Sequence, residues 1–458
     1  MVKQKCQQIL LSQKCVVLFA LILFSSVSNE ASATGMVKLE SNGFLRRSVD
    51  RSDSSSTLSL GPRLGSQGDY LETKLDFDAI VQITDTKNLS VDRSALAFES
   101  QNAYLATSRS VFSKHQFTLG RRIYDWAKFD QEWQFGAISP RFIWDPTRPQ
   151  IVGLTGVFHA YENEHWRWMN YASPLSIPER GYPLRNENGK LLSSNPFYNP
   201  YFDSAVIAKK NIPVQYTVVM PPIGDLIKKS GAMTTVRYST SPSGQGYWIQ
   251  GMYGFLPILQ PNLAVEPTYP PPYSAIDVRV HPAIQRHHLL MLETGVQEKQ
   301  FSLWASVTKE KPTSRPVPSL WIATRSEPAT VLSAGGDVSL FDGWKLKGSY
   351  IYVSEKRTVV ENVSFTVDLP GRFPYHRAAR GSLEYQANER MNYAFNLITD
   401  IEYKSQLMSL DVTYVIATDD HAITLNVGSD FFASATGKGY IGQYKGNDRF
   451  RGGVAYAF

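Results

Sequence analysis

Along most of this chain, apolar and polar residues alternate one for one. Leu71, Thr73, Leu75, Phe77, Ala79, Val81 and Ile83 oppose Glu72, Lys74, Asp76, Asp78 and Gln82. The same period runs through residues 344–352, 383–387, 391–403 and 408–416. Successive side chains of a strand point to opposite faces, so a period of two predicts strands with one apolar and one polar face. About a dozen such segments follow one another, with no amphipathic helix longer than a turn or two between them. The chain is therefore expected to be all-β.

A water-soluble sandwich would alternate too, and two features favour a transmembrane antiparallel up-and-down β-barrel instead. Many segments carry about ten or more alternating residues, the length that crosses a membrane at a tilt. Tyr, Phe and Trp also cluster near the segment ends, as interfacial girdles do. The connections alternate between tight (341–343, 387–389, 418–420) and long (48–57, 124–150, 174–203, 309–328). The first five strands are read at 36–47, 58–66, 70–84, 95–108 and 114–123. The whole count comes to about 18 strands, within a range of roughly 16–20. The range arises over 204–297, where IKKSG and PTYPPPYS read as loops on either side.

The last strand carries its own signal. Phe450, Val454, Tyr456 and Phe458 share one face, while Arg449, Arg451, Gly453, Ala455 and Ala457 share the other. A chain ending on such a strand, with a terminal Phe, resembles bacterial outer-membrane β-barrel proteins. That resemblance implies barrel closure by this strand and its recognition by the barrel-assembly machinery.

At the other end, Lys3, Lys5 and Lys14 precede the apolar run VVLFALILF (16–24), and Ala31-Ser32-Ala33 forms a small-residue cleavage pattern. Nine apolar residues are too few to span a bilayer, so 1–33 reads as a cleaved secretory signal and 34–458 as one barrel domain. Both cysteines, Cys6 and Cys15, lie in the leader, which excludes disulfides, thiol nucleophiles and cysteine metal sites from the exported chain. No apolar run long enough for a membrane helix follows. Mean hydropathy is slightly negative although 12% of residues are aromatic. That pairing suits a barrel with lipid outside and water inside. Strand one begins within a few residues of the expected mature start at Thr34, which leaves no chain for an N-terminal plug.

With the N-terminus in the periplasm, the fifth strand runs outward into the loop 124–150, YDWAKFDQEWQFGAISPRFIWDPTRPQ. Trp126, Trp133 and Trp144 make this loop too apolar to stand in water, so it is expected to fold into the barrel and narrow its lumen. Here Gly120-Arg121-Arg122 resembles the junction of the general diffusion porins, where a Gly-Arg pair ends the fifth strand and the third loop bends inward. The constriction-loop signature of that family (proline, glutamate, phenylalanine, glycine) is absent, and the length is nearer to substrate-specific 18-stranded channels. What the resemblance implies is a porin-like channel in the outer membrane for passive diffusion of small polar or charged solutes. It further implies contact with membrane lipid and lipopolysaccharide, and it allows a homotrimer.

The candidate constriction residues are Arg122, Asp125, Trp126, Asp130, Glu132, Trp133, Arg141, Trp144 and Asp145. Parity puts Arg122 in the lumen with Gln116 and Thr118, and Arg121 at the outer rim near lipid phosphates. The candidate lumen charges are Asp76, Asp78, Arg237, Arg279, Lys345, Lys347, Arg380, Glu384 and Asp400, with Glu72, Glu293, Asp337, Asp411, Arg449 and Arg451 also on polar faces. The plainer reading of each is a charge paired across the wall. Without the leader the net charge is about +4, too small for strong anion selectivity. No basic tract interleaved with aromatics points to nucleic acid.

Two other classes stay open. A closed barrel serving as surface receptor, adhesin or scaffold would use loops 174–203 and 309–325. An outer-membrane enzyme would need a nucleophile, a His and an acid together at the rim. The eight histidines form no metal-ligand spacing and no G-x-S-x-G occurs. No catalytic residue, metal or cofactor is therefore assigned.

Overall fold

The computed structural model describes residues 31–45, 54–84, 96–108, 112–193, 195–199, 203–207, 209–242, 245–269, 274–314, 318, 321–323, 326–355, 372–417 and 422–457. Among them, 18 strands join into one antiparallel sheet. In chain order these are β1 (Ala31–Phe44), β2 (Ser54–Gln67), β3 (Leu71–Thr84), β4 (Leu96–Thr107), β5 (His115–Arg122) and β6 (Leu154–Glu162). Next come β7 (Trp166–Ser173), β8 (Gly231–Ser239), β9 (Gly246–Pro257), β10 (Arg286–Gln297), β11 (Phe301–Pro312) and β12 (Ala329–Ser339). The last six are β13 (Trp344–Val353), β14 (Arg377–Asn388), β15 (Met391–Asp400), β16 (Ser405–Ala417), β17 (Ala422–Ser434) and β18 (Arg449–Ala457). Each strand pairs with the next. β18 returns to β1, with Met36 opposite Ala457 and Phe44 opposite Arg449. Closure removes the sheet edges, which is the condition for strands to sit in lipid.

The alternation becomes the two faces of the wall. Leu60, Phe98, Leu119, Leu292, Leu346, Leu410 and Val454 are exposed on the outside. Apolar side chains exposed all round a ring suit contact with lipid rather than water. Near the short connections the outside carries aromatic pairs. Trp166 packs on Tyr238 with ring centroids 4.9 Å apart, and Trp344 stacks on Tyr385 at 4.5 Å. On β18, Phe450, Val454 and Tyr456 face out, whereas Arg449 and Arg451 turn in. Phe458 lies outside the described residues, as do residues 1–30 of the expected leader; β1 begins at Ala31, within the expected cleavage pattern.

Connections at one end are short (68–70, 163–165, 298–300, 340–343, 389–390). Those at the other end are mostly long (123–153, 174–230, 258–285, 313–328, 354–376). The tight turn expected at 418–420 lies outside the described residues. The ambiguous stretch 204–297 resolves into three wall strands, β8 to β10, with one excursion before β8 and a second between β9 and β10. These excursions supply four strands of a separate five-stranded sheet: Ser204–Ile207, Lys210–Val218, Asn262–Thr268 and Ile276–Ala283. The fifth, Ile322–Ala323, comes from the connection 313–328. Arg279 belongs to this sheet and is paired with Glu266 there, so the expectation that it lines the barrel is corrected. Alternation assigns a face within a sheet but cannot tell which sheet a strand joins.

Candidate functional site

The interior is organised from the end of β5. Gly120 has φ +125°, and a Cβ there would lie 2.3 Å from the Ala103 carbonyl oxygen and 2.8 Å from Tyr104 Cα. Glycine alone accommodates both the dihedral and the approach. Arg122 stays inside, bonding Thr118 Oγ1 at 3.1 Å and lying over the rings of Tyr104 and Tyr124 at 4.4 and 4.7 Å. Arg121, expected at the outer rim, is buried instead: it donates to Glu99 at 2.8 Å and to the Gly153 carbonyl at 3.0 Å. Parity gives the face from which a side chain leaves, not what covers it at the strand's end, where Glu99 and the Gly153 carbonyl enclose Arg121.

Beyond β5 the chain crosses to inward-facing groups on other walls through a short helix, α1 (Lys128–Trp133). Gln250 of β9 donates to the Trp126 carbonyl at 2.5 Å. Glu293 of β10 accepts from the backbone N–H of Lys128 at 3.0 Å and of Phe129 at 3.3 Å. A carboxylate at a helix's first N–H groups is favourable both as a cap and against the dipole. Arg380 of β14 donates to the Glu132 carbonyl at 2.6 Å, and Ser349 of β13 lies 3.3 Å from the Glu132 carboxylate. The segment is thus tied to four strands far from its own.

Several of the expected constriction residues take structural places. Trp126 and Trp133 are buried with Phe129, Phe158 and Tyr171 in an apolar core that also draws on inward faces of β6 to β10 and β12 to β14. Asp130 is buried and accepts N–H bonds from Ala137 at 3.0 Å, Ile138 at 3.2 Å and Ser139 at 3.0 Å, clasping the chain after the helix. Burial pushes its carboxyl above the ordinary range, while those N–H groups and Arg141 favour the charged form. Arg141 is equally enclosed, in a two-pronged pair with Glu179 at 2.5 and 2.8 Å. These four side chains are therefore corrected from lumen-lining to internal packing. The loop's aromatic content made it fold inward, and that same burial hides its charges from solvent. Trp144 is partly buried on Phe142. Asp125 remains exposed, bonded by Gln131 at 2.6 Å, and Glu132 remains partly solvated.

The expected lumen charges mostly pair. Lys345 meets Asp337 at 2.7 Å and Lys347 meets Glu384 at 2.6 Å. Arg63 meets Asp78 at 2.7 Å, and Asp76 accepts from Asn102 at 2.9 Å. Arg237 stacks on Trp248 at 4.4 Å. Asp400 is corrected to a turn residue: it is buried at the end of β15 and accepts from the N–H groups of Glu402 and Tyr403. A cavity of about 180 Å³ lies under α1, bounded by Lys128, Gln131, Glu132, Trp248, Trp304 and Asp337 among others.

The densest charge cluster escaped the sequence reading in part. Asp430 of β17 accepts from Arg449 at 2.7 Å, Arg451 at 2.9 Å and Arg148 at 3.0 Å. Arg451 and Arg148 also meet Asp411, and Arg449 reaches Asp145 at 2.5 Å. Arg148 and Asp145 come from the returning limb of loop 124–150. Asp430 stands in SDFFAS, where Phe432 shares its face and blurs the polar signal; nothing in the sequence marks Arg148. Apolar and charged groups are mixed around the interior: the core also takes Leu407 of β16 and Phe432 of β17, and charged pairs line β12 to β14 as well as β16 to β18.

Loop 174–203 also folds inward. Phe197 and Tyr198 are buried, with Phe197 beneath Arg449 at 4.8 Å and edge-on to Tyr444. Among the histidines, His287 is buried facing in against Glu310, and His288 is exposed facing out. Among the described residues no three His, Cys, Asp or Glu side chains are grouped to hold a metal ion.

No family model and no curated protein matches the sequence. The chain is similar in fold to Acinetobacter baumannii OccAB4, with TM-score 0.45 and 9% identity over 94% of this chain and 98% of that one. A BenF-like porin from Pseudomonas fluorescens Pf-5 gives TM-score 0.47 and 7% identity over 94% and 98%. Salmonella typhi OmpF, in complex with daunomycin, gives 0.41 and 9% over 94% and 98%. Likeness at this level carries no weight for function; the closed 18-stranded barrel stands on the chain's own strand pairing.

Proposed function

We propose that this barrel is a porin-like channel of the bacterial outer membrane that lets small polar or charged solutes diffuse passively. The observation that carries the reading is the course of residues 124–150, bonded to the inward side chains Gln250, Glu293 and Arg380 and joined to β17 and β18 through Arg148 and Asp145. A segment so held narrows a lumen without depending on its own stiffness. Water and solute would pass by the solvated charges, among them Arg122, Asp125, Glu132 and the Asp430 cluster, where fixed charges act on ions at close range. Export would follow cleavage after Ala33, and the outward aromatic face of β18 would be read by the barrel-assembly machinery. The apolar outside would meet lipid and lipopolysaccharide.

The test is conductance of the refolded mature chain in planar bilayers, with and without deletion of residues 129–141. Steady conductance that rises on deletion is expected. A silent protein in both forms would refute the channel. A receptor or scaffold role would then take precedence, for which the excursion before β8 offers exposed Val206, Met220 and Ile223.

A further inference from the structure

Among the described residues, the most extended hydrogen-bonded group of polar side chains on the outside of the wall spreads over four neighbouring strands; elsewhere the outside carries isolated pairs such as Tyr253 with His288 and Tyr350 with Arg377. His115 Nδ1 and His159 Nε2 lie 3.0 Å apart, and His159 Nδ1 lies 3.2 Å from Asn170 Nδ2. Thr234 donates to Asn170 Oδ1 at 2.9 Å, and Trp168 Nε1 donates to Thr234 Oγ1 at 2.9 Å. All five point outward, alternating with the inward Gln116, Phe158, Met169 and Met233. His159, Asn170 and Thr234 stand two to four residues nearer mid-wall than the girdle residues Tyr161, Trp166 and Tyr238. Elsewhere on the wall such positions hold Leu292, Leu346, Leu410 and Val427.

The same strands are short. β5 to β8 have 8, 9, 8 and 9 residues, against 14 in each of β1 to β3 and 12 in each of β9 to β11. β18 also has 9, but it lies between strands of 13 and 14. At about 3.3 Å per residue and a tilt of about 40°, this sector stands about 20–23 Å high and the long strands about 30–35 Å. The apolar band of such barrels is about 25 Å. This sector is therefore short for the apolar band and, beside exposed Phe117, Leu119, Val157 and Val236, carries polar groups to which lipid tails offer no hydrogen bonds.

We propose that the β5–β8 face associates with the same face of a second copy of this chain within the membrane. The inference rests on the membrane reading above. A second copy fits because His, Asn and Thr each donate and accept, which makes the patch complementary to itself. Four strands at about 4.8 Å spacing, tilted, cover about 25 Å, or roughly 500 Å² of flat wall per copy at this height. The pair buries roughly 1,000 Å², the lower bound for a specific interface.

The expected mature chain has no cysteine, so single cysteines report contact cleanly. In such a two-fold pair β6 and β7 lie next to the axis while β8 meets β5 of the other copy, so Val157→Cys on β6 is placed at the centre of the face, and Val427→Cys on the distant β17 serves as control. After oxidation of outer-membrane fractions, Val157→Cys is expected to give a covalent dimer of this chain, and Val427→Cys to stay monomeric. In detergent, the double change His159→Leu and Asn170→Leu is expected to shift the sedimenting species to monomer while the folded, heat-modifiable barrel persists. A monomeric native protein, equal cross-linking at both positions, or a Val157→Cys adduct with a different protein would overturn the proposal. A chain absent from the membrane fraction would overturn the membrane reading, and this interface with it.

Discussion

Replacing Asp130 with Ala should release loop 124–150 while leaving the barrel intact. The carboxylate is the acceptor for three consecutive backbone N–H groups, those of Ala137, Ile138 and Ser139, at 3.0–3.2 Å. Alanine leaves these donors buried without an acceptor. At about 1–3 kcal/mol per orphaned group, with water entering to serve some of them, the loss is about 3–6 kcal/mol. Since about 1.4 kcal/mol is a factor of ten, the displaced loop becomes roughly a hundred- to ten-thousandfold more populated. Asp130→Asn keeps one acceptor oxygen and should cost about 1–2 kcal/mol. The wall's own hydrogen bonds do not involve Asp130, so the folded form should keep its heat-modifiable mobility. Native-state chymotrypsin digestion reads the loop directly through Phe129 and Phe135, and bilayer conductance reads its effect on the lumen. Cleavage should be fastest in Asp130→Ala, with larger and noisier current. Wild-type protease resistance in Asp130→Ala would refute the clasp, and faster cleavage with unchanged conductance would refute its role in narrowing the channel.

Gly120→Ala should lower folding yield and cost about 2 kcal/mol or more, because φ is positive and the Ala103 carbonyl fills the Cβ position; refolding yield and thermal unfolding check this. Asp430→Asn removes the charge shared by Arg148, Arg449 and Arg451. It should raise the anion-to-cation permeability ratio roughly twofold, read as a reversal potential in a salt gradient. It should also destabilise by about 2–3 kcal/mol, at the low end for a buried pair because Arg148 is partly solvated.

Much of the wall was legible because a two-residue period carries its own geometry. The first five strands read from alternation overlap β1 to β5 along most of their length, and the later alternating segments fall on β13 to β16 and β18. The terminal strand's two faces separated cleanly into Phe450, Val454 and Tyr456 outside and Arg449 and Arg451 inside. Legibility failed where a strand ends against the folded-in loop or where one sheet borders another. Arg121 is enclosed by Glu99 and Gly153 instead of standing at the rim, and Arg279 alternates as well as any wall residue while belonging to a different sheet.

The site divides in the same way. The sequence by itself determined that the loop after β5 is too apolar to stay in water, that strands alternate in face, and that the expected mature chain has no cysteine chemistry. Those are properties of composition and local spacing. Only the tertiary structure decided which of the loop's charges remain available. Asp130 and Arg141 are consumed in holding the loop's shape, whereas Arg148 and Asp145 join charges from β16 to β18 more than 250 residues away along the chain. A side chain's exposure inside a closed barrel depends on what the opposite wall presents, and that pairing is set by closure of the whole ring.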